Sequence, residues 1–167
     1  MKGLQIRDAS SSDAKQLSEI GKATFRENFG MNFHDQEKFE AYLAASFSEE
    51  KLKNSIAKAE NHYLLAFKEE ELIAYAKSKL LSKEDEAKLQ RLYVKKEFTG
   101  NKIGDVLLKQ TEEKLARLSA KQLWLLTLDS NLGAQRFYEK KGYKHLGLYP
   151  FSVAEQEFNF IKFQKEL

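Results

Sequence analysis

The sequence predicts an α/β domain on a mixed sheet, and three observations lead there. Apolar residues recur at helical spacing before residue 60, and the pattern becomes strand-like between residues 62 and 94. From residue 103 onward a helix, a strand, a helix and two strands follow in turn.

The first element is a short strand over Leu4 to Arg7, and Ser10 to Asp13 offer N-caps to the helix behind it. In that helix Leu17, Ile20, Gly21, Thr24, Phe25 and Asn28 repeat at helical spacing, which predicts one buried stripe and an end near Gly30. After the turn GMNFHD a second helix carries Phe39, Tyr42, Leu43 and Phe47 on one face. Ser48 with Glu49 and Glu50 marks a third start, since carboxylates favour the positive end of a helix, and Leu52 and Ile56 form its buried side.

Three strands follow, His62 to Phe67, Leu72 to Leu80 and Lys88 to Val94, separated by the charged turns KEEE and SKEDE, and they read as a meander. The next helix sets Ile103, Val106, Leu107, Leu115 and Leu118 on one side, with Lys109, Glu112, Glu113 and Lys114 mostly off it. QLWLLTL, Gln122 to Leu128, is apolar nearly throughout, as expected of a central strand covered on both faces. A helix from about Asn131 closes at Gly142, and strands over Tyr143 to Tyr149 and Glu157 to Phe163 complete the sheet. No repeat or linker interrupts this order, so residues 1–167 read as a single domain.

Composition narrows the function classes. Cysteine is absent, which excludes disulfides, cysteine zinc sites and any thiol-bound covalent intermediate, and leaves a reducing compartment as the expectation. The first residues lack the apolar core of a signal peptide and no window reaches the ~18 apolar residues of a membrane span. A cytoplasmic protein with no membrane partner is therefore expected. The net charge of +3 comes from 28 basic and 25 acidic residues spread along the chain; without a basic stripe, nucleic acid is not an expected partner.

Two segments carry chemistry. LYVKKEFTGNKIGDVLL runs from a strand through a two-glycine turn into an amphipathic helix, and such a turn can aim backbone N–H groups at a pyrophosphate beside the positive helix end. A plain strand-to-helix loop has the same pattern. Gly100 and Gly104 match neither the dinucleotide spacing nor the P-loop, which counts against hydride transfer and nucleotide hydrolysis. The second segment, LDSNLGAQRFYEKKGYK, places Asn131 ahead of a helix bearing Ala134, Phe137 and Tyr138 and ending before Gly142 and Tyr143. By itself the Phe137–Tyr138 pair reads first as core aromatics on a helix.

Together the two segments resemble motifs A and B of the GNAT superfamily of N-acetyltransferases. The resemblance implies a GNAT-like mixed, mostly antiparallel sheet of six to seven strands flanked by helices, and acetyl-CoA as acetyl donor with no metal. It assigns Leu92, Tyr93 and Val94 to the pantetheine arm and Thr99, Gly100, Asn101, Lys102, Ile103, Gly104 and Asp105 to the pyrophosphate. Asn131, Ala134 and Tyr138 complete the cofactor set, with Tyr138 also the catalytic group, a hydroxyl that stabilises the departing thiolate. Thr99 stands where the family has Gln or Arg, at a cost of about 1 kcal/mol in one hydrogen bond. Lys102 replaces the middle glycine; if that position needs positive φ, lysine costs on the order of 1 kcal/mol, offset if its ammonium meets a CoA phosphate.

Direct attack by the amine agrees with the missing cysteine. Many relatives carry glutamate as base at the position of Gln90, which cannot act as one. Glu27, Glu37, Glu40 and Glu86 are the substitutes, and His34, His62 and His145 are uncommitted. The segments KATFRENFG, DQEKFEAYLAASFSEEKL and QRLYVKKEF resemble bacterial PaiA-type spermidine/spermine N-acetyltransferases. This implies an acceptor site shaped by Phe25, Phe29, Phe33, His34 and Tyr42, with Glu27, Asp35, Glu37 and Glu40 available to a polycationic amine. The expected partner is a small-molecule amine, and a homodimer is compatible with it. Acetylation of a protein or peptide amine, or a non-catalytic acyl-CoA-binding module, are the alternatives.

Overall fold

The computed structural model describes residues 3–81 and 85–167; of the turn SKEDE, residues 82–84 lie outside the described residues. The elements run β1 (Leu4–Asp8), α1 (Ala14–Phe29), α2 (Gln36–Ser46), α3 (Glu49–Ile56), β2 (Asn61–Lys68), β3 (Glu71–Leu80), β4 (Glu86–Val94), α4 (Ile103–Arg117), β5 (Gln122–Leu128), α5 (Leu132–Lys140), β6 (Lys144–Val153) and β7 (Gln156–Glu166). The seven strands form one mixed sheet in the order β1-β2-β3-β4-β5-β7-β6. β1–β2, β5–β7 and β6–β7 are antiparallel, and β4–β5 is parallel. The parallel ladder runs from Glu86↔Gln122 to Leu89↔Leu125, so Gln90 and Leu126, next in line, do not continue it.

The chain divides into two compact units, residues 1–78 with 91–111 and residues 79–90 with 112–167. In the first, Leu17 and Ile20 of α1 and Leu52 of α3 pack on Tyr63, Leu65, Phe67, Leu72 and Tyr75 of β2 and β3. Gly21 is required by that packing: a Cβ there would lie 2.4 Å from the ring of Phe47, which is fully buried. The helix starts follow their caps. The Asp35 and Ser48 side chains accept from the backbone N–H of Lys38 and Lys51, and Asp13, ahead of α1, accepts the Ser10 N–H at 2.7 Å and a two-pronged Arg7 pair at 2.7 and 2.8 Å. In the second unit Leu123 and Leu125 of β5, Ile161 and Phe163 of β7, Tyr138 and Tyr143 are buried.

Four expectations need correcting. Leu118 is 44% exposed, because α4 ends at Arg117 and turns the next residue outward, whereas Leu108 and Thr111 complete the buried stripe. Asn28 is also exposed; its amide bonds back to the Thr24 carbonyl instead of entering the core. β5 is not sealed on both faces. Trp124 is half-buried, with the Lys88 and Lys162 ammoniums 4.5 and 4.6 Å from its ring centroid. β6 runs on through Pro150 to Val153, because an edge strand can spare one N–H.

Candidate functional site

In the first unit, Arg91 to Val94 are half-buried at the end of β4, and the Lys95 N–H bonds to the Ile73 carbonyl at 2.9 Å. A single 3₁₀ turn over Lys96–Phe98 then leads into the glycine segment. The Thr99 hydroxyl donates to the Lys96 carbonyl at 2.7 Å, and the Asn101 amide donates to the Phe98 carbonyl at 3.2 Å. Both polar side chains therefore hold the turn itself. Gly100 has φ +79° and Lys102 has φ +58°. The condition attached to Lys102 is met: a lysine occupies a left-handed position at an expected cost of about 1–2 kcal/mol. Its carbonyl accepts the first helical bond, from Val106 at 3.1 Å, so Lys102 is the residue that should cap α4. Lysine has no side-chain acceptor, and it offers nothing to the N–H groups of Ile103, Gly104 and Asp105.

The Ile103 side chain is buried, and Gly104 and Asp105 are half-buried. For Ile103 and Gly104 only the backbone remains as a polar contribution. An anion seated here would meet backbone N–H groups and the positive helix end.

In the second unit the start of α5 is built differently. The Asn131 side chain accepts from the Ala134 N–H at 3.1 Å, and the Gln135 amide reaches the Leu128 and Asp129 carbonyls at 3.1 and 2.9 Å. The helix closes in a complete C-terminal motif. Gly142, φ +85°, donates to the Glu139 carbonyl at 3.0 Å, and Tyr143 donates to the Tyr138 carbonyl at 3.1 Å. The Tyr143 ring also meets Tyr138, centroids 5.5 Å apart, and its hydroxyl donates to Glu112 at 2.8 Å, a carboxylate shared with Lys165 at 2.9 Å.

Tyr138 is 8% exposed, and burial alone pushes its hydroxyl well above the ordinary phenol range. It is protonated at neutral pH, and no protein group among the described residues bonds its hydroxyl. Ala134 is half-buried on the same helix, and Phe137 is packed edge-on against Tyr138 at 5.1 Å.

These geometries agree with an independent likeness in sequence. A model of the acetyltransferase (GNAT) domain matches residues 27–167. The chain belongs to the GNAT acetyltransferases. The acetyl donor of that family is acetyl-CoA. The chain is 28% identical over 145 residues to a spermidine N(1)-acetyltransferase of Thermoplasma acidophilum, covering 84% of this chain and 88% of that one. It is 25% identical over 161 residues to an uncharacterized N-acetyltransferase of Lactobacillus delbrueckii, covering 93% and 92%. The structure of the PaiA N-acetyltransferase of Thermoplasma acidophilum in complex with coenzyme A superposes with a TM-score of 0.81 at 26% identity, over 98% of this chain and 99% of that one.

The carboxylates nominated for a base or a polycation do not form one group. Glu40 is gripped at both oxygens by Arg26, at 2.9 and 2.8 Å, which holds its carboxyl below the usual range. Asp35 caps α2, and Glu27 and Glu37 are exposed. Glu86 pairs through its backbone with Gln122 at the opposite end of β4 from Val94. Gln90 is exposed, His34 is exposed, His62 is half-buried, and His145 lies edge-on to Phe163 at 5.5 Å. Among the described residues no group of three or more His, Asp or Glu side chains is placed to hold a metal ion, and no helix is long and apolar enough to cross a membrane.

The nominated aromatics do assemble. Phe25 lies 4.7 Å from Phe29, 5.7 Å from Tyr42 and 6.1 Å from Phe39, Phe33 stacks on Phe39 at 4.5 Å, and Phe29 reaches Tyr93 of β4 at 6.3 Å. Sequence reasoning passed over Arg91 at the centre of the same unit, with its guanidinium 4.1 Å from the Phe47 ring centroid. Its one signal was a charge inside the apolar run LQRLYV.

Proposed function

We propose that the chain transfers the acetyl group of acetyl-CoA directly to a primary amine. The observation that carries the reading is Tyr138, a protonated hydroxyl, buried and without a partner among the described residues, on helix α5 inside the matched GNAT domain. The amine nitrogen attacks the thioester carbonyl carbon, the C–N bond forms as the C–S bond breaks, the amine loses one proton and the sulfur gains one. Tyr138 donates a hydrogen bond to the departing sulfur. A phenol raised by burial is a weaker acid than a thiol, so it stabilises the thiolate by donating a hydrogen bond more readily than by releasing its proton.

Leu92, Tyr93 and Val94 hold the pantetheine amides through their backbone. Thr99, whose N–H and hydroxyl both bond to the Lys96 carbonyl, holds the turn in shape, and Gly100, Asn101, Ile103, Gly104 and Asp105 turn backbone N–H groups toward the pyrophosphate; the carboxylate of Asp105 would repel it, so Asp105 contributes its N–H and not its side chain. Lys102 supplies an ammonium to a phosphate. Asn131 and Ala134 shape the start of α5 for the cofactor. With Gln90 unable to act as a base, a water chain takes the amine proton.

Polyamines such as spermidine and spermine are the first acceptor class to try, supported by the name of the 28% identical relative. A cytoplasmic enzyme acting as one domain over residues 1–167 belongs to the same reading. So does a homodimer, supported by edge strand β6, where Leu146, Leu148 and Phe151 are about half exposed. Thiol release from acetyl-CoA, measured against polyamines, amino acids and peptides, tests the activity. Release that depends on a small amine is expected, and release indifferent to every acceptor would refute it.

A further inference from the structure

Among the described residues, Arg91 is a cation with no carboxylate counter-ion. It alternates onto the same face of β4 as Tyr93, which packs on Phe29 and on Tyr75, centroids 5.7 Å apart in the second case. Around the half-buried guanidinium stand Phe47, at 4.1 Å, and the tyrosines Tyr75, Tyr93, Tyr63 and Tyr42, and no carboxylate pairs with it among the described residues. Burial opposes its charge, but a guanidinium keeps its proton at neutral pH, so the cation persists there. A ring face offsets part of the desolvation of a guanidinium but satisfies none of its five N–H donors.

A polar group with few partners sits beside it. Tyr75 is fully buried, and its hydroxyl, next to Arg91 and Thr24, has no hydrogen bond of good geometry among the described residues. Its pKa is pushed up to about 12, chiefly by burial, so it too is a donor at neutral pH. A half-buried guanidinium with no carboxylate partner among the described residues, set beside a buried tyrosine hydroxyl, is the complement of an anion, and its planar fork matches a carboxylate with two parallel bonds.

We propose that Arg91, backed by the Tyr75 hydroxyl, is a carboxylate subsite, and that the preferred acceptor is an amine bearing a carboxylate. The inference rests on the reading that the chain N-acetylates amines, and it selects among them. A polycation would meet an uncompensated guanidinium in this unit, while the carboxylates of Glu40 and Asp35 are tied to Arg26 and to the start of α2.

Matched amines that differ by one carboxylate test it: ornithine against putrescine and lysine against cadaverine, read as kcat/KM. The carboxylated member of each pair is expected to be favoured about tenfold or more, the scale set by leaving a buried charged donor unpaired. Arg91→Gln should collapse that ratio to near one, and Arg91→Lys should keep part of it. A ratio below about fivefold in the native protein, or one that survives Arg91→Gln, overturns the proposal. Should Arg91→Gln fail to fold, calorimetric titration of the native protein with pentanoate decides: binding that competes with the acceptor supports the subsite, and its absence overturns it. That titration also reads out if no amine is acetylated, which separates failure of the activity from failure of the subsite.

Discussion

Two helices begin directly after a strand and a polar turn, and they settle their free N–H groups in opposite ways. At α5 the Asn131 side chain accepts from Ala134, Gly142 and Tyr143 close the far end, and the helix is complete within the protein. At α4 the capping position is Lys102, which has no acceptor to offer and sits at φ +58°. A helix start that satisfies itself serves the fold. At α4 the capping residue offers no side-chain acceptor and a left-handed lysine stands beside the helix start, which under the proposed function is where the pyrophosphate would lie.

That contrast concerns the helix starts, and the body of α5 sharpens it, since it carries Tyr138. Tyr138→Phe should lower kcat about 100-fold, the low end for loss of a positioned hydrogen-bond donor to a developing anion, with thermal stability nearly unchanged because the hydroxyl has no partner among the described residues. A matching loss of melting temperature would reassign Tyr138 to the core.

The start of α5 should show its structural character next. Asn131→Ala is expected to cost about 1 kcal/mol, and up to about 2, in denaturant unfolding, since the Ala134 N–H loses its acceptor. At the other end, Gly142→Ala should cost about 1–2 kcal/mol, because alanine resists φ +85°.

α1 extends the comparison through pH. Arg7 first, and then the bonds from Ser10, lower the Asp13 carboxyl from 3.8 to about 2. The folded value lies below the unfolded one, so this stability is present above about pH 4 and disappears as pH falls through 2. About 1–2 kcal/mol should be lost across that window after allowing for the exposed Arg7, and Asp13→Asn should flatten it in acid unfolding curves.

The smallest effect falls on α4. Lys102→Gly should raise stability by about 1 kcal/mol by relieving the left-handed lysine, while acetyl-CoA binds more weakly for want of the ammonium. Tighter binding in calorimetry would show that the lysine is tolerated and not used.

Sequence periodicity alone determined the element order, the α/β class, the helix starts at Asp35, Ser48 and Asn131, and the end at Gly142, because caps and glycine positions are local in the chain. The motif in Asn131 to Tyr143 was legible for the same reason: its residues are neighbours on one helix. Tertiary structure decided what depends on partners far apart in sequence. Glu40 is lost as a base to Arg26, fourteen residues earlier, and Tyr143 is fixed by Glu112, thirty-one residues away. Arg91 stands out only once Phe47 and the tyrosines of β2 and β3 surround it. Spacing shows which residues share a face, but the charge or ring that meets them across the core is set by packing, and packing has no fixed period in the sequence.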